Sequence, residues 1–139
     1  MHGFSLTFVD DNEAEHFLIQ EAVGDLAVPV RSQHFLYADQ FLASLERGEV
    51  TQDAVITDLN MPGRNGFELI HALRARREWL HLPILVLTTS AAEVDRARAA
   101  DLAADGYFVK PLTQAALVEQ LGAMLQVIRS RMTPPSPLP

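Results

Sequence analysis

The sequence contains no cysteine, and this absence excludes several kinds of site. A chain without cysteine forms no disulfide, offers no thiolate to a metal ion and has no cysteine nucleophile. The absence also fits a reducing compartment, where disulfides are rare. Any metal-binding or covalent chemistry must therefore come from other side chains.

Positive charge and long apolar runs are also scarce. The 139 residues include 11 lysines and arginines against 18 aspartates and glutamates, which gives a formal net charge of −7. This balance argues against non-specific binding to nucleic acid or to an anionic membrane. The N-terminus has no signal-peptide pattern, and no apolar run approaches the roughly 20 residues of a membrane-spanning helix. We expect a soluble, cytoplasmic protein with neither nucleic acid nor membrane as a partner.

Short apolar segments alternate with amphipathic segments along the chain. The apolar segments predict strands at 4–9, 28–35, 54–57, 84–87 and 106–109, and the amphipathic segments predict helices at 13–24, 38–47, 66–77, 91–103 and 114–129. Such alternation favours a parallel sheet with helices on both faces and right-handed crossovers. We expect one domain over residues 1–131 and a proline-rich, disordered tail over residues 132–139.

Two local expectations concern the helices. In the first helix, Ala14, Leu18 and Ala22 recur at a helical spacing and should face the core, whereas His16 should be solvated, as should His71 in the third helix. Ser90 and Glu93 have the spacing of a capping box at the start of the fourth helix.

Polar side chains follow four of the predicted strands. Asp10 and Asp11 follow the first strand, Asp58 the third, Thr88 the fourth and Lys110 the fifth. Taken singly, these residues have ordinary explanations: a helix cap, an Asx turn, a strand end and a solvated lysine. Parallel strands, however, bring their carboxyl ends to one edge of the sheet, where ligands bind in open α/β folds. A convergence of all five by accident is therefore improbable.

The expected cluster has the parts that phosphoryl transfer to a carboxylate requires. Three carboxylates repel one another unless a cation joins them, and oxygen ligands of this kind suit Mg²⁺. One carboxylate can act as a nucleophile and form an acyl phosphate. The metal and the lysine would neutralise the phosphoryl oxygens, and the threonine hydroxyl would donate a hydrogen bond to one of them.

These motifs resemble the receiver domain of two-component response regulators, and in particular stand-alone receivers like the chemotaxis regulators. The motifs are Asp10-Asp11, Asp58-Leu59-Asn60-Met61-Pro62-Gly63, Thr88 and Lys110-Pro111, and the resemblance spans residues 4–129. It implies a flavodoxin-like (βα)5 doubly wound parallel sheet with the strand order 2-1-3-4-5. The stretch from Leu87 to Ser90 is similar to that of stand-alone receivers paired with phytochrome-type or other sensor kinases.

The resemblance also implies ligands for a cation. Asp58 would take a phosphoryl group from a phosphohistidine on a sensor histidine kinase or phosphotransfer protein. Asp11, Asp58 and the backbone carbonyl of Asn60 would hold Mg²⁺ (or Mn²⁺), and Asp10 would act through water.

Other positions acquire roles by the same resemblance. Thr88 and Lys110 would contact the phosphoryl group, and Tyr107 would turn inward as a switch when Thr88 moves. Asn60, Thr89 and Ser90 would tune the lifetime of the phosphoryl group. The Lys110-Pro111 bond would be a cis peptide.

The resemblance describes a phosphoacceptor that takes part in its own phosphorylation and dephosphorylation but is not a turnover enzyme. Its output would pass to an unidentified downstream protein, and the fourth helix, fifth strand and fifth helix could form a homodimer. Two alternatives stay open. One is a receiver-like interaction module that is not phosphorylated. The other is a phosphatase with an aspartate nucleophile, although such enzymes usually carry a second acid where this chain has Asn60.

Overall fold

The computed structural model describes residues 3–132, which form five strands and five α-helices. The strands are β1 (Phe4–Val9), β2 (Val30–Phe35), β3 (Ala54–Thr57), β4 (Ile84–Thr88) and β5 (Gly106–Val109). The helices are α1 (Glu13–Gly24), α2 (Ala38–Glu46), α3 (Gly66–Arg74), α4 (Glu93–Asp101) and α5 (Gln114–Met132), with a short 3-10 helix at Arg77–Trp79. Within residues 3–132, no helix has the length and apolar character that crossing a membrane requires.

All four strand pairings are parallel, and the strand order is β2-β1-β3-β4-β5. This arrangement confirms the predicted flavodoxin-like fold. The chain moves outward from β1 to β2 and then returns to place β3 on the other side of β1. The order therefore reverses between β1 and β3, and ligands bind at such a switch point in open α/β sheets.

The sheet separates two apolar layers. On one face, α2, α3 and α4 pack against the sheet through residues that include Phe41, Leu69 and Leu73. On the other face, α1 and α5 contribute residues that include Ile19 and Leu121. Because β4 contributes to both layers, all five of its residues are buried, as expected for a central parallel strand.

Several element boundaries differ from the predictions, including those of α3, α5 and β2. Helix α3 ends at Arg74, and the side chain of this residue donates hydrogen bonds to the backbone carbonyls of Trp79 and Leu82 at 2.9 and 2.6 Å. Helix α5 continues through Met132, although the sequence predicts that this residue begins the tail, and the rest of the predicted tail lies outside the described residues. Strand β2 begins at Val30, after Pro29.

The start of α4 also corrects a prediction. This helix begins at Glu93 with Ala92 as its N-cap, and no side chain caps it. Ser90 lies before the helix, where its hydroxyl donates a 2.6 Å hydrogen bond to Asp95 and accepts one from the amide of Ala92 at 3.2 Å. The Ser90–Glu93 capping box is therefore absent because the hydroxyl has a different partner.

The buried face of α1 also differs from the expected one. Ala14 and Leu18 are exposed, whereas His16, Ile19 and Ala22 are buried. Only Ala22 belongs to both sets, and the expectation of a solvated His16 is wrong. His71, by contrast, is exposed on α3 as expected.

Candidate functional site

Strand pairing places the acidic residues together at the switch point. Val9 and Thr57 are partners in the β1–β3 ladder, so Asp10 and Asp58 each follow at the same edge of the sheet. The amide of Asp58 donates a 3.0 Å hydrogen bond to the carbonyl of Val9. Asp10, Asp11 and Asp58 each offer a carboxylate oxygen, and these three atoms lie within 4.8 Å of one another. The three acids that were expected at the strand ends therefore lie together.

The three carboxylates differ in their contact with solvent. Asp10 and Asp58 are only 3% and 8% exposed, whereas Asp11 is exposed. Buried carboxylates are costly without a counter-charge. Their ligand atoms are all oxygen, and the cluster is open on the Asp11 side. A hard divalent cation with several waters fits this set of donors, because Mg²⁺ takes few carboxylates and retains water.

The ammonium group of Lys110 provides the positive charge of the cluster. Its Nζ lies 2.8 Å from Asp10 Oδ2 and 3.1 Å from Asp58 Oδ2. Burial alone would lower the pKa of Lys110, but hydrogen bonds and charges from Asp10 and Asp58 outweigh burial and raise that pKa. Lys110 is the only lysine in the sequence. The site thus has one ammonium group for at least three carboxylates.

The peptide after Lys110 does not have the expected geometry. No peptide bond within residues 3–132 is cis, so the Lys110-Pro111 bond is trans. The trans form is favoured for most bonds to proline. In this form the backbone amide of Lys110 donates a 2.7 Å hydrogen bond to the carbonyl of Thr88 while Nζ reaches both carboxylates.

The Asp58 carboxylate is held by two donors. Its Oδ1 atom accepts a 2.7 Å hydrogen bond from the backbone amide of Leu59, and Oδ2 faces Lys110. Behind it, the Thr57 hydroxyl donates to the Asp58 carbonyl at 2.8 Å. Helix α3 begins close to this peptide, since the amide of Gly66 donates to the carbonyl of Leu59 at 3.0 Å. The candidate nucleophile is thus fixed by β3 and the start of α3.

Thr88 and Tyr107 meet at the loop between β4 and α4. Thr88 is fully buried at the end of β4, and its Oγ1 accepts a 3.3 Å hydrogen bond from the amide of Ser90. The Tyr107 hydroxyl donates to the carbonyl of Ser90 at 2.9 Å, and the guanidinium of Arg96 lies 4.6 Å from the centre of its ring. Ser90 therefore connects the two residues expected to act as a switch.

The residues expected to tune phosphoryl lifetime occupy different environments. Asn60 and Thr89 are exposed, in the β3–α3 and β4–α4 loops respectively. Ser90 is partly buried, and its hydroxyl donates a hydrogen bond to Asp95. Their assigned effect on lifetime stays a prediction.

The structure adds three residues that the sequence did not reveal. A Glu15 carboxylate oxygen lies 4.0 Å from Lys110 Nζ, and the amide of Asn12 donates a 2.9 Å hydrogen bond to Asp10 Oδ1. His16 Nε2 lies 2.6 Å from the backbone carbonyl of Asp10. Glu15 follows Asp11 by four residues, a spacing that could have indicated it. Nothing in the local sequence distinguishes His16 from a solvated histidine.

The sequence matches a known family along most of its length. A family model for the response regulator receiver domain matches residues 6–122. The chemotaxis protein CheY-3 of Vibrio cholerae is 40% identical over 127 residues, which cover 89% of this chain and 93% of that protein.

Solved structures agree with this match. The phosphorylated cyanobacterial phytochrome response regulator RcpA has a TM-score of 0.84 at 26% identity, covering 97% of this chain and 100% of that chain. The Mn²⁺-bound form of the response regulator Rcp1 has a TM-score of 0.76 at 23% identity, covering 98% of this chain and 99% of that chain. At that lower identity, the likeness to Rcp1 supports the fold alone.

Proposed function

Since this chain belongs to the family of response regulator receiver domains, we propose that Asp58 accepts a phosphoryl group from a phosphohistidine on a sensor histidine kinase or phosphotransfer protein. Receiver domains are two-component signalling modules rather than classical turnover enzymes. The observation that carries the proposal is the Lys110 ammonium group, which contacts Asp10 and Asp58 within a cluster of three carboxylates. This cluster lies at the switch point of the sheet, where the fold binds ligands.

The proposed transfer exchanges one bond to phosphorus for another. A carboxylate oxygen of Asp58 forms a bond to phosphorus while the bond from phosphorus to the imidazole nitrogen of the donor breaks. The electron pair of the broken bond remains on that nitrogen. The imidazole leaves as a neutral ring, and any proton that it then gains or loses is exchanged with solvent. Asp58 becomes an acyl phosphate. Because Asp58 Oδ1 is held by the Leu59 amide, the side chain is already oriented before the donor arrives.

Phosphoryl transfer depends on neutralising charge on the phosphoryl oxygens. Lys110 would move from the carboxylates to these oxygens, and the hydroxyl of Thr88 would donate a hydrogen bond to one of them. A bound Mg²⁺ or Mn²⁺ ion would supply further positive charge there. Asp11, Asp58 and the backbone carbonyl of Asn60 would hold this ion, with Asp10 acting through water. The all-oxygen cluster supports this assignment.

The output of the domain would be a change in its surface. The acyl phosphate of Asp58 would carry about 1.5 to 2 negative charges in place of the single charge of the carboxylate. Recruitment of Thr88 would remove the acceptor of the Ser90 amide, and the β4–α4 loop and Tyr107 would then rearrange. The new surface would be recognised by a downstream protein, and α4, β5 and α5 would provide a surface for a homodimer. We place this signalling in the cytoplasm.

Intact-mass measurement tests the proposal. The protein is incubated with Mg²⁺ and acetyl phosphate, and the wild type is compared with Asp58→Asn and with Asp101→Asn, an exposed control on α4. We expect one phosphoryl adduct in the wild type and the control, dependent on Mg²⁺, and none in Asp58→Asn. No adduct from acetyl phosphate or from a phosphorylated histidine kinase would instead favour an unphosphorylated interaction module. Continuous donor hydrolysis without an adduct would favour a phosphatase.

A further inference from the structure

The buried histidine of α1 lies against the acidic cluster and has no part in the proposed transfer. We propose that His16 is a positioning residue: its Nε2–H group holds the backbone of Asp10, and His34 fixes the ring of His16 in the form that can do so. This inference rests on the cation site of the proposed function. According to this inference, His16 affects the affinity for the cation as well as contributing to the packing of the core.

Asp10 is held at each of its polar groups. Its amide donates to the carbonyl of Phe35 at 3.1 Å, and its own carbonyl faces His16 Nε2 at 2.6 Å. Oδ1 accepts from the amide of Asn12 at 2.9 Å, and Oδ2 accepts from Lys110 Nζ at 2.8 Å. The contact with His16 is the one that ties the Asp10 peptide to the body of α1. Without it, a buried carbonyl would lose its donor.

The contacts of the two histidines determine where their protons lie. A carbonyl oxygen only accepts hydrogen bonds, so His16 Nε2 carries a proton, and with both rings neutral the Nδ1 atom of His16 has a lone pair. His34 Nδ1 lies 2.7 Å from that lone pair and must be the donor. His34 Nε2 then accepts from the Ser32 hydroxyl, 2.9 Å away. The hydrogen bonds therefore run in one direction, from Ser32 through His34 and His16 to Asp10.

Packing keeps this chain of hydrogen bonds in place. The ring of His34 stacks on Phe8 with 5.5 Å between the ring centres, and the ring of His16 meets His34 edge-on at 4.8 Å. His16 is 6% exposed, so water has little access to replace its contacts. Ser32, His34 and Phe35 all belong to β2, which is an edge strand of the sheet. This strand therefore sets the position of Asp10 through the amide and the carbonyl of Asp10. Outer contacts of this kind tune metal affinity in other proteins.

The test compares two substitutions at one position. His16→Leu removes the donor to Asp10, whereas His16→Gln keeps an N–H group near the place of Nε2. We expect Mg²⁺ affinity to fall about tenfold in His16→Leu, at the lower end of the range for outer contacts, and to stay within about threefold of wild type in His16→Gln. His71→Leu changes an exposed histidine on α3 and should leave affinity unchanged. Affinity is measured by titration of protein shown to be folded by circular dichroism.

A purely structural role would give a different pattern. In that case His16→Leu would lower the free energy of unfolding but would bind Mg²⁺ as tightly as wild type, and this result would overturn the inference.

Nitrogen NMR of the imidazoles provides a measurement that needs no cation. We expect an Nε2–H tautomer at His16 and an Nδ1–H tautomer at His34 at neutral pH, and any other pair would also overturn the inference. Failure of the wild type to bind Mg²⁺ would count against the cation site of the proposed function. The tautomers measured by NMR would still test the hydrogen bonds of His16 and His34 in that case.

Discussion

The hydroxyl of Tyr107 donates a 2.9 Å hydrogen bond to the backbone carbonyl of Ser90. The amide of the same serine donates to Thr88 Oγ1 at 3.3 Å, so one peptide segment connects the end of β4 to Tyr107 of β5. A movement of Thr88 cannot leave this segment unchanged, because the amide of Ser90 would lose its acceptor. The loop thus connects Thr88 at the end of β4 to Tyr107 on β5.

Tyr107→Phe tests this connection. The substitution keeps the ring under Arg96 but leaves the carbonyl of Ser90 without its donor. We expect a loss of about 1 kcal/mol in the free energy of unfolding, the usual value of one hydrogen bond. Amide hydrogen exchange should become faster at Ala91 and Ala92, while the amides of α5 serve as the internal control. Unchanged exchange in the β4–α4 loop would show that Tyr107 does not hold it.

Much of the fold could be predicted from the sequence because strand β3 and strand β4 have strong local signals. Both are continuous apolar runs, and each is followed at once by a polar residue that marks the edge of the sheet. Helix α1 shows where prediction fails. Apolar residues such as Phe17, Leu18 and Ile19 occur on several of its faces, so periodicity alone does not select the buried one. Only packing against α5 and the sheet does so.

In the candidate site too, some residues could be predicted from the local sequence and others could not. Asp58 and Lys110 were predictable because each directly follows a strand, and strand ends meet whatever the details of packing. The contact between His16 and His34 was not predictable, since it joins α1 to an edge strand across 18 positions of sequence. It depends on the rotation of α1 and on the pairing of β1 with β2. Neither has a signature in the residues around His16.

Lys110→Met should separate stability from cation binding. Removal of the ammonium group leaves the buried carboxylates of Asp10 and Asp58 facing each other. Without a divalent cation, we expect the free energy of unfolding to fall by about 3 kcal/mol, because breaking a buried ion pair leaves uncompensated charge. With Mg²⁺ we expect much of this loss to be recovered and the cation to bind more tightly than in wild type.

The same variant should take up a phosphoryl group more slowly, since Lys110 no longer neutralises the phosphoryl oxygens. Lys110→Arg retains the charge and is the matched control. Urea unfolding with and without Mg²⁺, together with the rate of adduct formation, checks these expectations. Weaker Mg²⁺ binding in Lys110→Met than in wild type would contradict the view that the lysine and the cation compete for the same carboxylates.

Gly66→Ala should disturb the site through the backbone. A Cβ atom at Gly66 would overlap the carbonyl oxygen of Asp58 and lie 2.8 Å from Leu59 Cα. Since both neighbours are backbone, no side chain can rotate away, and we expect a loss of about 3 kcal/mol in the free energy of unfolding. Gly122→Ala is the control, because a Cβ there meets nothing within 4 Å and α5 should gain up to about 1 kcal/mol. Equal stabilities of the two variants would contradict this close packing.

The low pKa of His34 predicts a pH dependence of stability. Burial, with a smaller electrostatic contribution from His16, lowers the pKa of His34 to about 4, whereas an unfolded histidine has a pKa of about 6.5. Between these values the unfolded chain binds a proton that the folded chain does not. The free energy of unfolding should therefore decrease as the pH falls from about 6.5 to about 4.

Other groups also titrate in this range, so His34→Gln isolates the contribution of the one imidazole. The groups in contact with His34 are the His16 ring, the Ser32 hydroxyl and the ring of Phe8, and the carboxylate-bearing Glu13 lines the same surface pocket. We expect wild type to lose more stability than His34→Gln between pH 6.5 and pH 4 in urea unfolding, and His71→Gln to follow the wild type. Parallel curves for wild type and His34→Gln would mean that His34 takes up its proton as readily in the folded chain as in the unfolded one. The one-directional hydrogen bonds from Ser32 to Asp10 would then exist only above the ordinary pKa of histidine.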